Sequence, residues 1–372
     1  MIKYQGCKVN FKIVFFVLGI FAVLLVAVLF FFIAVSPGSI KNIKDSDGSI
    51  LKNGSVKKLF IEINGIRHGM FISMTSEENS VLLFIHGGPG MPEYFMHYMY
   101  PTGLEKHFTI CWMEQRGAGL SYSHTLDYTT LDTDDLLNDI KDVSEYLKDR
   151  YHKEKIFLAG HSWGTYLGLQ AAASFPELFS AYIAIAQITD QKESELIAFE
   201  YMKSTYLELG NTKKTEQFNG NSDAVHNNSL VSYMGSLLRD ESMHELGIGS
   251  MRSMKSVITG IFLPSLVFPG YTVKEKLLLW KAKSRLNNES SLRIKQLDTD
   301  LSTVVRKIKI PIIFMSGKYD YTVNWELSKK YFDSLEAPRK EFLLFENSAH
   351  SPLFEERERY VNEMHRIKKL YE

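Results

Sequence analysis

The feature that most constrains this chain is the stretch from Lys155 to Ala173, in which a short strand must turn sharply into a helix. Ile156 to Ala159 is an apolar run of the length typical of a buried strand. From Thr165 onward, small and apolar residues recur at helical spacing. The turn between these two patterns falls on Ser162.

Two glycines flank this turn, at the positions where a side chain would collide with the neighbouring strand and helix. Gly160, Ser162 and Gly164 form the G-x-S-x-G pattern of a nucleophile elbow. An elbow holds the serine hydroxyl at the N-terminus of the following helix, where backbone N–H groups and the helix dipole favour negative charge. We therefore predict that Ser162 is a nucleophile beside which an oxyanion can form.

A base and an acid are expected at the carboxyl ends of other strands, because ligands bind there in an open parallel sheet. Asp320 follows the apolar run from Ile312 to Gly317, and His350 follows the run from Phe342 to Phe345. With Ser162 they stand in the chain order nucleophile, acid, histidine. Hydrolases whose serine lies on a nucleophile elbow have this order.

Each of these residue types has a chemical reason to be present. A serine hydroxyl is a poor nucleophile until an imidazole takes its proton, and we assign that role to His350. Asp320 would accept the other ring N–H and hold the imidazole in the required tautomer. Glu346 and Glu114 are alternative acids that the sequence leaves open.

A glycine-rich loop supplies a candidate for the second half of the oxyanion hole. The apolar strand from Val81 to Ile85 runs into the loop from His86 to Pro89. Glycines let the backbone approach a substrate closely, so the N–H of Gly88 would pair with that of Trp163 to bind the oxyanion. A Gly-Pro turn without a ligand is the alternative interpretation.

The charge and the cysteine content of the chain disfavour several other classes of function. Lys and Arg total 43 of the 372 residues and Asp and Glu also total 43, so nothing favours a nucleic-acid partner. Cys7 and Cys111 lie on opposite sides of a hydrophobic segment, which favours neither a disulfide nor a metal site. The glycine-rich loop fits neither a phosphate loop nor a nicotinamide fingerprint, so no cofactor is expected.

The hydrophobic segment runs from Ile13 to Val35 without a charged residue, which is roughly the length needed to cross a bilayer. A cleaved signal peptide is the alternative, but its apolar core would be shorter. Three lysines lie in residues 1–12, whereas Lys41 and Lys44 follow the segment among acidic residues. The positive-inside rule therefore favours a cytoplasmic N-terminus and an extracytoplasmic catalytic domain.

Alternating strand and helix patterns predict an α/β fold with a mostly parallel sheet covered by helices on both faces. An Asn-Gly pair indicates a hairpin before the parallel strands. A polar, helical region with breaks at Asn219 to Asn228 and Asn287 to Ser291 interrupts the pattern, and one helix from Leu353 to Leu370 ends the chain. The predicted units are an N-terminal flank 1–12, a transmembrane helix 13–35, a solvated linker 36–54, a first core part 55–188, a helical cap 189–305 and a second core part 306–372.

Three motifs together resemble the prolyl iminopeptidase branch of the α/β-hydrolase superfamily. They are the strings from His86 to Gly90, from Glu114 to Ser121 and from Gly160 to Gly164. The resemblance implies the α/β-hydrolase fold with an inserted cap. It also implies a serine aminopeptidase that removes an N-terminal residue, often proline, from short peptides without a cofactor. By the same resemblance Ser162, Asp320 and His350 would form the triad, with Gly88 and Trp163 as oxyanion donors.

The chain departs from that family in two places. Glu114 stands where the family usually has aspartate, and the cap lacks the Trp-Glu pair through which such enzymes bind a substrate amine. Glu195, Glu200 and Glu208 are the nearest acidic candidates in the cap, and none is assigned. The leading interpretation is a membrane-anchored serine aminopeptidase acting on short peptides. An esterase or amidase for small acyl compounds, and a non-catalytic binding protein, are the alternatives.

Overall fold

The core of the chain is an eight-stranded sheet in a computed structural model that describes residues 11–227 and 230–372. The strand order is β1-β2-β4-β3-β5-β6-β7-β8. Strand β2 runs antiparallel to both of its neighbours, β1 and β4, and all other neighbouring strands are parallel. The mostly parallel sheet predicted from the sequence is therefore confirmed. The strands are β1 Ser55–Ile63, β2 Ile66–Met74, β3 Ser80–Ile85, β4 Phe108–Met113, β5 Ile156–His161, β6 Phe179–Ile185, β7 Ile312–Gly317 and β8 Lys340–Phe345.

The first two strands form the predicted hairpin. Ile63 pairs with Ile66, so the turn consists of Asn64 and Gly65 alone. Both residues have positive φ, at 54° and 70°. Asn and Gly tolerate that conformation, and it matches the twist of a two-residue hairpin.

Hydrophobic clusters cover both faces of the sheet. In β3, Leu83 and Ile85 belong to one cluster and Leu82 and Phe84 to the other, and all four are buried. This explains why the parallel strands are continuous apolar runs without polar alternation. The α-helices before the cap are α1 Phe11–Ala34, α2 Tyr94–Met99, α3 Thr133–Tyr151 and α4 Trp163–Ser174.

Helix α1 is exposed and apolar. Within the described residues it is the helix that is long and apolar enough to cross a membrane. Residues 1–10 of the predicted N-terminal flank, including Cys7, lie outside the described residues.

The segment 36–54, predicted as a solvated linker, packs against the rest of the protein instead. Ile43 and Leu51 are buried. Lys276 of the cap donates to Val35 O at 2.9 Å and to Ser36 Oγ at 2.8 Å. The end of α1 is therefore attached directly to the cap.

The region between β6 and β7 is helical where it is described. Its helices are α5 Gln191–Glu208, α6 Thr212–Asn227, α7 Leu230–Met234, α8 Leu237–Glu245, a π-helical turn Ile258–Phe262, α9 Leu263–Val267, α10 Val273–Asn288, α11 Leu292–Leu297 and α12 Leu301–Val304. The predicted break at Asn287 to Ser291 is confirmed, because it separates α10 from α11.

The predicted break at Asn219 to Asn228 is wrong as far as Asn227, and residue 228 lies outside the described residues. Helix α6 continues through this stretch, and Asn221 Nδ2 donates to Gln217 O at 2.9 Å, one turn earlier. Phe218 and Val225 on the same helix are buried in the cap. Buried apolar contacts here outweigh the weak helix propensity of the asparagines.

The last predicted helix is two helices. After α13 Trp325–Ser334, the chain ends in α14 Pro352–Glu355 and α15 Arg357–Tyr371. Glu356 separates them, with φ −111° and ψ 55°. Its carboxylate accepts from Asn347 N at 3.0 Å and Ser348 Oγ at 2.7 Å. The break therefore fixes the loop that carries His350.

A buried carboxylate near the hairpin gives a testable pH dependence. Burial raises the pKa of Glu114 from 4.5 to about 8, although Tyr271 donates a hydrogen bond to its carboxylate at 2.6 Å. Between these two values the native chain holds a proton that the unfolded chain releases. The contribution of Glu114 to stability therefore falls as the pH rises from about 4.5 to about 8.

Glu114→Gln cannot ionise and should remove this dependence. We expect the Tm of the variant, minus that of the wild type, to increase by on the order of 5 °C between about pH 5 and about pH 8.5. Differential scanning fluorimetry of the detergent-solubilised full chain would measure it. Glu346→Gln removes an exposed carboxylate and is the control. A Tm difference for Glu114→Gln that stays constant with pH would contradict this account.

Candidate active site

The elbow is a strained backbone turn between β5 and α4. Ser162 has φ 54° and ψ −123°, a conformation that residues with a side chain seldom adopt. A Cβ atom at Gly160 would lie 2.5 Å from Gly164 O, and one at Gly164 would lie 2.0 Å from Ile85 O. Both distances are too short for a side chain. This is the steric collision that the sequence analysis predicted at the two glycines.

The acid and the histidine meet at the carboxyl end of the sheet. Asp320 follows β7 and is buried, and His350 lies in the loop after β8. His350 Nδ1 is 2.9 Å from Asp320 Oδ2, and Asp320 Oδ1 accepts from Val323 N at 2.8 Å. With Nδ1 bonded to the carboxylate, Nε2 of His350 is the ring nitrogen left to exchange a proton.

The two alternative acids are engaged elsewhere. Glu114 accepts hydrogen bonds from Tyr271 and from the N–H of Leu120. Glu346 is exposed and pairs with Lys318 at 2.7 Å. Asp320 is therefore the one of the three carboxylates that contacts His350.

Ser162 and His350 line the same cavity, which has a volume of about 200 Å³. The hydroxyl of Ser162 makes no hydrogen bond in the described parts of the chain. The predicted nucleophile and the predicted base therefore lie at the same cavity, and Asp320 contacts the base. Its apolar wall is formed by Met91, Phe95, Met96, Met254, Ile261 and Phe354.

The two backbone N–H groups predicted for the oxyanion hole belong to Gly88 and Trp163. Gly88 has φ 138°, which favours glycine, and it lines the cavity. Trp163 is the first residue of α4, where helix N–H groups have no intrahelical acceptor. In residues 11–227 and 230–372 neither N–H donates a hydrogen bond. Both N–H groups therefore remain the predicted donors to an oxyanion.

A buried ion pair that the sequence did not indicate connects three parts of the site. Glu93 Oε1 accepts from Gly87 N at 3.0 Å and lies 2.8 Å from His161 Nδ1. His161 Nε2 lies 2.9 Å from His350 O. Because both ring nitrogens face acceptors, His161 satisfies both bonds only as the imidazolium.

The electrostatics agree with this protonation state. Burial lowers the pKa of His161, but the Glu93 carboxylate and its hydrogen bond outweigh burial and raise that pKa above its usual value. Glu93 and His161 therefore link the glycine-rich loop, the elbow and the loop that carries His350.

The acidic cap residues suggested by the sequence do not line the cavity. Glu195 is buried and binds Arg239 through two hydrogen bonds of 2.6 Å. Glu200 and Glu208 are exposed on α5. Two charged residues that the sequence did not single out, Glu93 and Lys283, line the cavity instead.

The cap also holds the glycine-rich loop in place. Arg293 of α11 donates from Nη2 to Gly88 O at 2.8 Å. A hydrogen bond from a charged donor contributes about 1.5–3 kcal/mol. We therefore expect Arg293→Met to lower kcat about 10-fold to 100-fold with little change in KM, because the loop loses its orientation.

Steady-state kinetics of Arg293→Met would measure this effect. Arg285→Met is the matched control, because Arg285 lies on α10 and pairs with Glu289 outside the cavity. An Arg293→Met variant that keeps wild-type kcat would show that the bond to Gly88 does not orient the loop.

The fold and the arrangement at the ends of its strands define the class of protein. Residues 80–357 match the family model for the α/β-hydrolase fold, and the chain belongs to this family.

Two relatives are similar to most of the chain. The chain is 30% identical over 324 residues to the probable aminopeptidase YbaC of Bacillus subtilis (strain 168), a match that covers 82% of this chain and 94% of that protein. It is 23% identical to a proline iminopeptidase of Heyndrickxia coagulans, over 81% of this chain and 95% of that protein. These matches confirm a prolyl iminopeptidase-like α/β hydrolase.

Solved structures show the same fold. The crystal structure of the proline iminopeptidase of Mycobacterium smegmatis superposes with a TM-score of 0.60 and covers 85% of this chain and 98% of that chain. At 13% sequence identity, this likeness concerns the fold alone.

Proposed function

We propose that this protein is a membrane-anchored serine aminopeptidase that removes N-terminal residues from short peptides through an acyl-enzyme. The observation that carries the proposal is the placement of Ser162 and His350 in one cavity, with Asp320 Oδ2 2.9 Å from His350 Nδ1. The aminopeptidases among the relatives support the same reaction class.

The residues at this site would carry out both the formation and the hydrolysis of the acyl-enzyme. Ser162 Oγ attacks the peptide carbonyl carbon while His350 Nε2 takes its proton. The C–N bond breaks as His350 gives that proton to the leaving amine. Water then attacks the acyl ester by the same route and regenerates the serine hydroxyl. The N–H groups of Gly88 and Trp163 bind the oxyanion that forms in each half.

Recognition of a free amine would use Glu93. It is the acidic residue among the described residues that line the cavity, and its Oε2 is buried without a hydrogen-bond partner. A substrate α-ammonium would satisfy this oxygen through a charge-assisted hydrogen bond. Such a bond would favour a peptide with a free N-terminus over a blocked one.

The anchor would be α1, with the catalytic domain on the extracytoplasmic side. The span of 21 apolar residues from Val14 to Ala34 supports insertion into a bilayer. Protease added to intact cells should then remove the catalytic domain, whereas a domain protected until the cells are lysed would contradict this orientation.

Matched substrates test the aminopeptidase activity. Prolyl and alanyl anilides with a free amine should be hydrolysed at least about 100-fold faster than their N-acetyl forms, because acetylation removes the charge that Glu93 would bind. Hydrolysis that is indifferent to acetylation would contradict amine recognition.

Glu93→Gln tests the residue itself. The amide oxygen of glutamine can still accept from Gly87 and His161. The variant therefore loses the negative charge and the second acceptor oxygen. We expect KM for the free-amine anilides to rise about 10-fold or more. Glu77→Gln removes an exposed carboxylate and is the control. An unchanged KM in Glu93→Gln would assign amine binding to another group.

An esterase acting on small acyl compounds is the second candidate. The apolar wall that includes Met254, Ile261 and Phe354 would accept an acyl chain. Turnover of short acyl esters, compared with turnover of the free-amine anilides, separates the two activities.

A further inference from the structure

Lys283 is a cation at the candidate active site. It lies on α10, is partly buried and lines the cavity with Ser162 and His350. Within residues 11–227 and 230–372 its ammonium group makes no hydrogen bond and no ion pair. Neighbouring cations of the cap do have partners: Lys276 donates to Val35 O, and Arg293 donates to Gly88 O.

The surroundings of Lys283 disfavour its charge. Burial, together with the nearby guanidinium of Arg293, lowers the pKa of Lys283 to about 8. No carboxylate is among the groups that shift it. A partly buried ammonium group without an anion costs free energy, and a bound anion would recover part of that cost. The position is therefore suited to an anionic group of the ligand.

The cavity has a complementary feature in Glu93. One carboxylate oxygen of Glu93 is bonded to Gly87 and His161, and the other is buried without a partner among the described residues. A ligand with both an ammonium and a carboxylate group would satisfy Glu93 and Lys283 together. A volume of about 200 Å³ is below the usual range for a drug-sized ligand, which favours a molecule as small as a dipeptide.

We propose that Lys283 binds the α-carboxylate of the substrate, so that this hydrolase selects dipeptides with a free C-terminus. This inference rests on the proposed function and names its substrate class. In a dipeptide the carboxylate belongs to the residue that leaves, so Lys283 would orient the leaving group while Glu93 binds the amine. Peptides with an amidated C-terminus would lose this contact.

The direct test compares Pro-Ala and Ala-Ala with their C-terminal amides on the detergent-solubilised full chain. A hydrogen bond between two charged groups corresponds to a preference of about 10-fold to 100-fold in kcat/KM for the free acid, expressed mainly in KM. Lys283→Met should abolish the preference. Lys281→Met is the matched control, because Lys281 lies on the same helix but is exposed and contacts the Tyr122 ring at 5.7 Å.

The outcomes separate this inference from the proposed function. Equal turnover of acid and amide by the wild type, unchanged in Lys283→Met, would overturn the role of Lys283 while the aminopeptidase activity stands. If no peptide is hydrolysed, calorimetry on Ser162→Ala decides the question. If Ser162→Ala binds Pro-Ala more tightly than its amide, and Ser162→Ala/Lys283→Met shows no such preference, the role of Lys283 in binding the carboxylate is supported although the proposed function fails. Equal binding of acid and amide would overturn it.

Discussion

Ser162→Ala is expected to lower kcat/KM for a free-amine anilide by about 10,000-fold to 1,000,000-fold. The variant removes the oxygen that forms the acyl-enzyme, and the oxyanion donors alone give only residual catalysis. Folding should be unaffected, because the hydroxyl of Ser162 makes no hydrogen bond within the described residues. Steady-state kinetics together with a thermal melt would measure both quantities.

Ser174→Ala is the control for this variant. Ser174 ends the same helix, is exposed and lies outside the cavity, so its variant should keep wild-type activity. If Ser162→Ala retained more than about 1% of the wild-type rate, the assignment of Ser162 as nucleophile would be wrong.

Asp320→Asn is expected to lower kcat by about 10,000-fold with little change in KM. Val323 N donates to Asp320 Oδ1, so an asparagine would keep its oxygen there and turn its NH₂ group toward His350 Nδ1. His350 would then carry its proton on Nε2. That tautomer cannot accept the proton of the serine hydroxyl.

The control for this prediction is Asp333→Asn, which removes an exposed carboxylate paired with Lys329. Kinetics over a range of substrate concentrations would separate kcat from KM. A loss of kcat below about 10-fold in Asp320→Asn would mean that another group orients His350.

Local sequence patterns were sufficient to predict the elbow and the ends of the strands. At Ser162 the periodicity changes from strand to helix within a few residues, and the steric need for Gly160 and Gly164 is a local property. Asp320 and His350 could be located because each lies within a few residues after an apolar run. Their contact with each other depends on the parallel sheet, which the same runs predict.

The charged residues of the cavity wall could not be found in this way. Glu93 directly precedes α2, and Lys283 lies in the middle of α10, and neither position has a distinctive local pattern. They become part of the site only because those segments fold over the ends of the strands, which single-sequence periodicity does not specify. The same reason applies to Arg293, which reaches the glycine-rich loop from the cap.

The errors in the predicted secondary structure also arise from tertiary contacts. Helix α6 persists through an asparagine-rich stretch because its apolar face packs in the cap. The C-terminal helix is interrupted because Glu356 bonds to the loop before His350. In both cases tertiary contacts outweigh local propensity.

Covalent labelling of the wild type tests the central claim most directly. The detergent-solubilised full chain would be treated with a fluorophosphonate, digested and analysed by mass spectrometry. We predict one phosphonyl adduct on the peptide that contains Ser162, and protection from labelling by a free-amine dipeptide. Folded wild-type protein that remains unlabelled, or that carries its adduct on a different residue, would contradict the serine hydrolase assignment.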